Sequence, residues 1–221
     1  MVAVVLAAHL LAAELPLVAD HLVTGPKSHV TLTNRADQAV TAWALAVTTH
    51  PASGGTHREV EMVDGYLSTV THGIAGAAPR LERLMPGESR EIELDPLPEG
   101  ATVEVAAVIL DDGTALGDES IVAPMFARRS KERDALGAVA QTFADVLASE
   151  HGAQALDTLR ARLDALPNRA EVPCRAAIDA VDTYKQRVAD RTPEQIDESL
   201  RTYAAFVTRE WELAKKAAAR R

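Results

Sequence analysis

Six side chains between positions 50 and 72 have the chemistry to share a metal ion. His50, His57 and His72 contribute three imidazoles, and Glu59, Glu61 and Asp64 place carboxylates among them. Imidazole nitrogen and carboxylate oxygen are ordinary ligands of zinc and related ions, so this region is the candidate centre of a metal-dependent enzyme. The spacing matches no familiar ligand motif, and His50 and His57 flank a PASGGT loop that leaves their separation in space open. Scattered surface histidines explain the same residues without an ion. A second set, Asp111, Asp112, Asp118 and Glu119 around Gly113 and Gly117, offers the several oxygens that calcium takes from a flexible loop. It lacks the ordered alternation of an EF-hand. A hairpin turn at Asp112-Gly113 followed by helix capping at Asp118 accounts for it without a cation.

Covalent chemistry finds fewer parts. The chain has no Gly-x-Ser-x-Gly elbow, Ser-x-x-Lys pair or Cys/His pairing, and no glycine pattern of a phosphate or dinucleotide loop. Cys174 stands alone, so it forms no internal disulfide. It lies in VPCRAAIDAV at a helix start, without the neighbouring His that a catalytic thiol would want, and reads as buried filler. Trp43 and Trp211 sit on apolar faces, which makes them core or interface residues rather than ligand platforms. No catalytic residue and no cofactor is assigned.

The elements that would position these residues divide the chain in two. Between positions 14 and 117 apolar residues recur with period two or in short runs, separated by Gly, Pro, Asn and Asp clusters, as in an all-β unit. His29 to Asn34 alternates, with Val30 and Leu32 on one face. Val40 to His50 reads as its return strand and has apolar residues on both faces, the mark of a central strand. Pro86-Gly87 suits a turn before Glu88 to Leu94, where Ile92 and Leu94 face inward. Thr102 to Leu110, Leu15 to Leu22 and Arg58 to Asp64 bring the count to about six strands.

From position 118 to 221 the period changes to that of helices. Asp118 and Glu119 cap the first, although Pro124 predicts a kink or a start near Ala123. Met125, Phe126, Leu136, Val139, Phe143 and Leu147 continue it to a stop at Gly152, and ARRSKERD within it reads as a solvated face. Leu156 to Leu166 and residues 172 to 189 supply two more helices. Thr192-Pro193-Glu194-Gln195 is a capping box for the last, whose apolar stripe runs from Ile196 to Ala214. Four helices of this kind form a bundle, or the last packs on a partner chain as a homo-oligomer contact.

Apolar residues make up 47% and charged residues 25% of the 221, ordinary globular usage that disfavours disorder and a membrane bundle. The net charge of −9 lies wholly in residues 1 to 117, with 6 basic against 15 acidic residues; residues 118 to 221 carry 17 of each. An acidic β half disfavours a nucleic-acid backbone as partner and leaves cations or basic surfaces. The first thirteen residues, MVAVVLAAHLLAA, form an apolar run ending in small residues. It reads as a signal peptide and places the protein outside the cytoplasm, in the periplasm or beyond, and it is too short to span a bilayer. The alternative is a buried element of a cytoplasmic protein.

The stretches HVTLTNRADQAVTAWALAV, LMPGESREIEL and VEVAAVILDDGTALGDE resemble exported bacterial Ig-like β-sandwich proteins of uncharacterised function, over about residues 28 to 120. The resemblance implies a fold and no functional residue. The expectation is an α+β chain, an antiparallel Ig-like β-sandwich followed by about four helices, the first packed on the sandwich. Its function is a non-enzymatic binding or structural role toward an unknown protein or surface partner, with the metal-dependent enzyme and helix-driven self-association as alternatives.

Overall fold

In a computed structural model of the chain, residues 14–67 and 83–221 are described; the run 1–13 and His72 lie outside them. Seven strands come first: β1 (Leu17–Val23), β2 (Ser28–Asn34), β3 (Val40–Thr49), β4 (His57–Asp64), β5 (Ser89–Leu94), β6 (Thr102–Leu110) and β7 (Ala115–Gly117). A helical turn at 65–67 follows β4. Four long helices then complete the described residues: α1 (Glu119–Leu147), α2 (Gly152–Asp164), α3 (Val172–Lys185) and α4 (Pro193–Ala217). The fold is α+β, with two antiparallel sheets in the orders β1-β2-β5 and β4-β3-β6-β7 and the helices mostly C-terminal.

Strand periodicity becomes burial directly. Val30 and Leu32 of β2, Trp43 and Leu45 of β3, Leu94 of β5 and Val108 of β6 come from both sheets and share one apolar cluster. β3 lies between β4 and β6, and both its faces are covered, that of Trp43 and Leu45 by this cluster. Its other face, Ala42, Ala44 and Ala46, continues into Ala106, Ala107 and Ile109 of β6, and on it lie Ile121, Val122, Met125 and Phe126 of α1. Small side chains on the sheet let the helix approach closely, and the first turns of α1 are thereby part of the β core.

Two details of the β half differ from expectation. β3 does not return against β2; β2 pairs with β1 and β5, while β3 pairs with β4 and β6. The cause is the fully buried Asn34. Its amide nitrogen donates to the carbonyls of Gln38 (2.8 Å) and Leu84 (2.9 Å), and its oxygen accepts the Ala36 N–H. The polar link after it therefore carries the chain across to the other sheet instead of reversing it within one. The second is β7, a three-residue return against β6, too short to produce a period of its own.

In the helical half, α1 begins at Glu119 rather than near Ala123. Asp118 accepts hydrogen bonds from the Ser120 N–H (2.9 Å) and hydroxyl (2.6 Å), and Pro124 sits inside the helix. The backbone donor that Pro124 lacks is offset by the cap and by the apolar contacts to the sheet on either side of it. Gly152 is not the stop of α1, which ends at Leu147, but the first residue of α2. Its φ of +58° suits glycine, and its N–H donates to Asp197 Oδ1 at 2.7 Å. The capping box at Thr192 and Gln195 is formed. Ile196, Leu200, Val207 and Ala214 of α4 are buried in one cluster with Leu136, Val139 and Phe143 of α1 and Leu156, Leu159 and Leu163 of α2, so the apolar stripe of α4 is covered by its own chain.

The β7 return depends on Gly117, whose φ is +107° and where a Cβ would lie 2.3 Å from the Ala106 carbonyl oxygen and 2.8 Å from the Ala107 Cα. Gly117→Ala is expected to lose more than about 2 kcal/mol in urea unfolding, and more than Gly55→Ala, where φ is also positive but the space is open. Equal losses would contradict the close packing of this turn.

Candidate functional site

The apolar stripe of α1 through Val122, Met125, Phe126 and Leu136 passes over Arg129 and Glu132, and both are buried. This corrects the reading of ARRSKERD as a solvated face: at helical spacing, positions 129 and 132 belong to the inward side whatever residues occupy them. Arg129, 1% exposed, grips Asp64 at the end of β4 in bidentate fashion, Nε to Oδ2 at 2.7 Å and Nη2 to Oδ1 at 3.0 Å. Nη2 also donates to Thr41 Oγ1 of β3 (3.2 Å), and Nη1 to the carbonyl of Ala217 at the end of α4 (3.1 Å). Thr41 in turn donates to the Ile109 carbonyl at 3.1 Å. The rings of Tyr66 and Phe126 each lie 5.8 Å from the guanidinium carbon. One side chain thus touches two strands and two helices.

Beside this pair the interior is acidic. Glu132 has no hydrogen-bond or ion-pair partner among the described residues, and burial pushes its carboxyl up to about 7; Arg128 opposes the shift while Glu171 and Asp64 add to it. Glu210 of α4 has a buried Oε2 without a hydrogen-bond partner among the described residues, and its carboxyl is likewise raised by burial against the pull of Arg209. The Tyr66 hydroxyl donates to the Glu210 carbonyl at 3.4 Å. Burial, then the charges of Glu210 and Glu132, hold Tyr66 well above the usual phenol range.

A pocket of about 260 Å³ opens on the same junction. Thr41 and Leu110 line it from the sheet, Leu213 and Lys216 from α4, and Tyr66, Arg83, Asp111 and Arg129 complete most of its wall. Arg83 Nη1 stands 3.1 Å from Asp111 Oδ1. Lys216 has no ion-pair partner among the described residues. Three cations therefore converge on a cavity at the edge of an acidic β half, together with apolar surface from Leu110, Leu213 and the Tyr66 ring.

The residues singled out from sequence lie elsewhere or do other work. His50 Nδ1 is 3.4 Å from Thr56 Oγ1, and His57 Nε2 is 4.0 Å from Glu59 Oε2 on an exposed edge strand. Glu59 and Glu61 stand in register with Val47 and Leu45. Burial, then Asp95 and Glu59, raise the Glu61 carboxyl. Asp64, grouped with them by sequence, belongs instead to Arg129. In the calcium-type set, Asp111 pairs with Arg83, Asp112 accepts the Thr114 N–H (2.8 Å), Asp118 caps α1 and Glu119 pairs with Arg220. Among the described residues no three His, Cys, Asp or Glu side chains are grouped to hold a metal ion. Cys174 is fully buried and its thiol is pushed up to about 11 by burial. Trp43 is a core residue at 1% exposure, and the Lys215 ammonium lies 4.3 Å from the centre of the Trp211 ring.

No family model, curated protein or solved structure matches the chain. Among the described residues no helix is long and apolar enough to cross a membrane.

Removing one member of a buried ion pair strands the other. Arg129→Met is expected to cost about 3–5 kcal/mol in chemical unfolding, and Arg129→Met with Asp64→Leu to recover most of that loss; a double variant no more stable than the single one would contradict the pairing. Glu132 supplies a pH test. Its folded pKa of about 7 lies above the 4.5 of an exposed carboxyl, so its stabilising contribution is complete below the lower value and is lost as pH rises toward the higher. Glu132→Gln should therefore match wild type near pH 4 and exceed it near pH 8, read as the difference in urea midpoint at each pH. Equal midpoints near pH 8 would contradict a buried, unpartnered carboxyl.

Proposed function

We propose that this protein is an exported, non-enzymatic binding module: an Ig-like β-sandwich whose helical half completes a ligand pocket at the junction. The observation that carries the binding role is the 260 Å³ cavity, walled from both halves, in which Arg83, Arg129 and Lys216 meet apolar surface. A concave site with a few convergent polar groups on an apolar lining is the ordinary form of a small-ligand site. The cationic wall is preorganised, because Asp64, Thr41 and the Ala217 carbonyl hold the Arg129 fork in place before any ligand arrives.

The Ig-like reading is supported by the seven antiparallel strands of the described residues, in sheets of three and four around a shared cluster, and by the resemblance over residues 28 to 120. Export is supported by the apolar run that ends in small residues at position 13 and by the single thiol of the chain. The acidic β half turns away nucleic-acid backbones, while the pocket presents a local patch of the opposite sign.

Two-dimensional NMR of the protein against a panel of small polar compounds tests the binding role. Shifts are expected to cluster at Thr41, Tyr66, Gly113 and Lys216, and Leu213→Trp, which fills the mouth from an exposed position, is expected to remove them. Perturbations that scatter over the surface, or that survive Leu213→Trp, would sink the assignment.

A further inference from the structure

We infer that the ligand of the junction pocket is a small organic monoanion, one carboxylate on a short apolar body, held between Lys216 and Arg83. The inference rests on the pocket being a binding site. Arg129 is the most buried cation of the wall but has little left to give: one N–H of Nε, both of Nη2 and one of Nη1 are already directed to Asp64, Thr41 and the Ala217 carbonyl. It shapes the field and leaves a single N–H. Arg83 is tied to Asp111 through one nitrogen, and among the described residues no other carboxylate pairs with its fork. Lys216, an ammonium with no ion-pair partner among the described residues, is the strongest unused donor.

The charge balance selects the valence. Of the three cations on the wall, Arg83 is paired with Asp111 and Arg129 with Asp64, so Lys216 is the one whose charge no ion pair among the described residues offsets. A monoanion neutralises the site. A phosphate dianion would leave it negative, next to Asp111 and to the carbonyl end of α4, where the helix dipole already disfavours negative charge. The apolar part of the wall, from Leu110, Leu213 and the Tyr66 ring, suits an aliphatic or small aromatic body. At about 260 Å³ the cavity is smaller than drug-sized sites, so that body is a few carbons long. A charged hydrogen bond in a partly enclosed site discriminates more strongly than a neutral one, and the amide of the same acid is therefore the informative competitor.

The test is a titration of the full chain with butanoate, butanamide and inorganic phosphate, followed by NMR shifts at Tyr66 and Lys216, in wild type and Lys216→Gln. Butanoate is expected to bind at least about tenfold more tightly than butanamide and than phosphate, and Lys216→Gln to erase the preference for the acid over its amide. Lys216 is exposed, and a glutamine on a helix surface leaves the fold intact. Equal binding of acid and amide, tighter binding of phosphate, or a preference that survives Lys216→Gln would overturn the ligand class. If none of the three binds while other polar compounds still shift Thr41 and Tyr66, the class is wrong and the pocket stands. If no compound of any kind perturbs those residues, the binding site itself is refuted.

Discussion

The ion pair between Arg129 and Asp64 sets the relation between the two halves. Burying both charges is costly, and their mutual attraction offsets that cost only with good geometry and further hydrogen bonds. Those supports come from different parts of the chain: the bidentate carboxylate from β4, the Thr41 hydroxyl from β3, aromatic faces from Tyr66 and Phe126, and the terminal carbonyl of α4, where a helix dipole favours a cation. None of them suffices alone. Four of the five guanidinium N–H groups find acceptors only when sheet, α1 and α4 are all in place, so the pair specifies an arrangement more than it adds stability.

The charge asymmetry of the sequence follows from the same arrangement. The β half carries the whole net charge of −9, and the end of α4 brings basic residues onto it. Arg220 pairs with Glu119, Arg221 stands 3.8 Å from Asp112, and the Arg221 N–H donates to the Gly113 carbonyl at 3.1 Å. Gly113 is close enough to this segment that a Cβ would meet the Ala219 carbonyl oxygen. Carboxylates that look like a cation loop in sequence are therefore hairpin and cap residues, two of them, Asp112 and Glu119, matched by arginines about a hundred positions away. The pocket lies where this contact leaves Lys216 without an ion-pair partner among the described residues.

Local chemistry was readable from sequence where it acts locally. The alternation of β2, the two covered faces of β3, the Asp118 cap and the Thr192 capping box all depend on neighbours within a few residues. Strand pairing was not, because a buried Asn34 that bonds across fifty positions to Leu84 looks like any turn asparagine. The junction was missed for a related reason: Arg129 and Glu132 are charged residues in a charged run, and only the helical period through Met125, Phe126 and Leu136 marks them as inward. The histidines drew attention by residue type, yet His50 and His57 flank an exposed loop that gives them no common target, and His72 lies outside the described residues.

Native-state hydrogen exchange compares the two halves directly. If Arg129 and the α1–sheet contact make them one cooperative unit, the slowest amides of β3 and β6, such as Leu45 and Val108, should open with the same free energy and denaturant dependence as those of the helical core, such as Phe143 and Val207. A helical core that exchanges through its own, lower-energy opening while β3 and β6 stay protected would contradict the central role given to this junction.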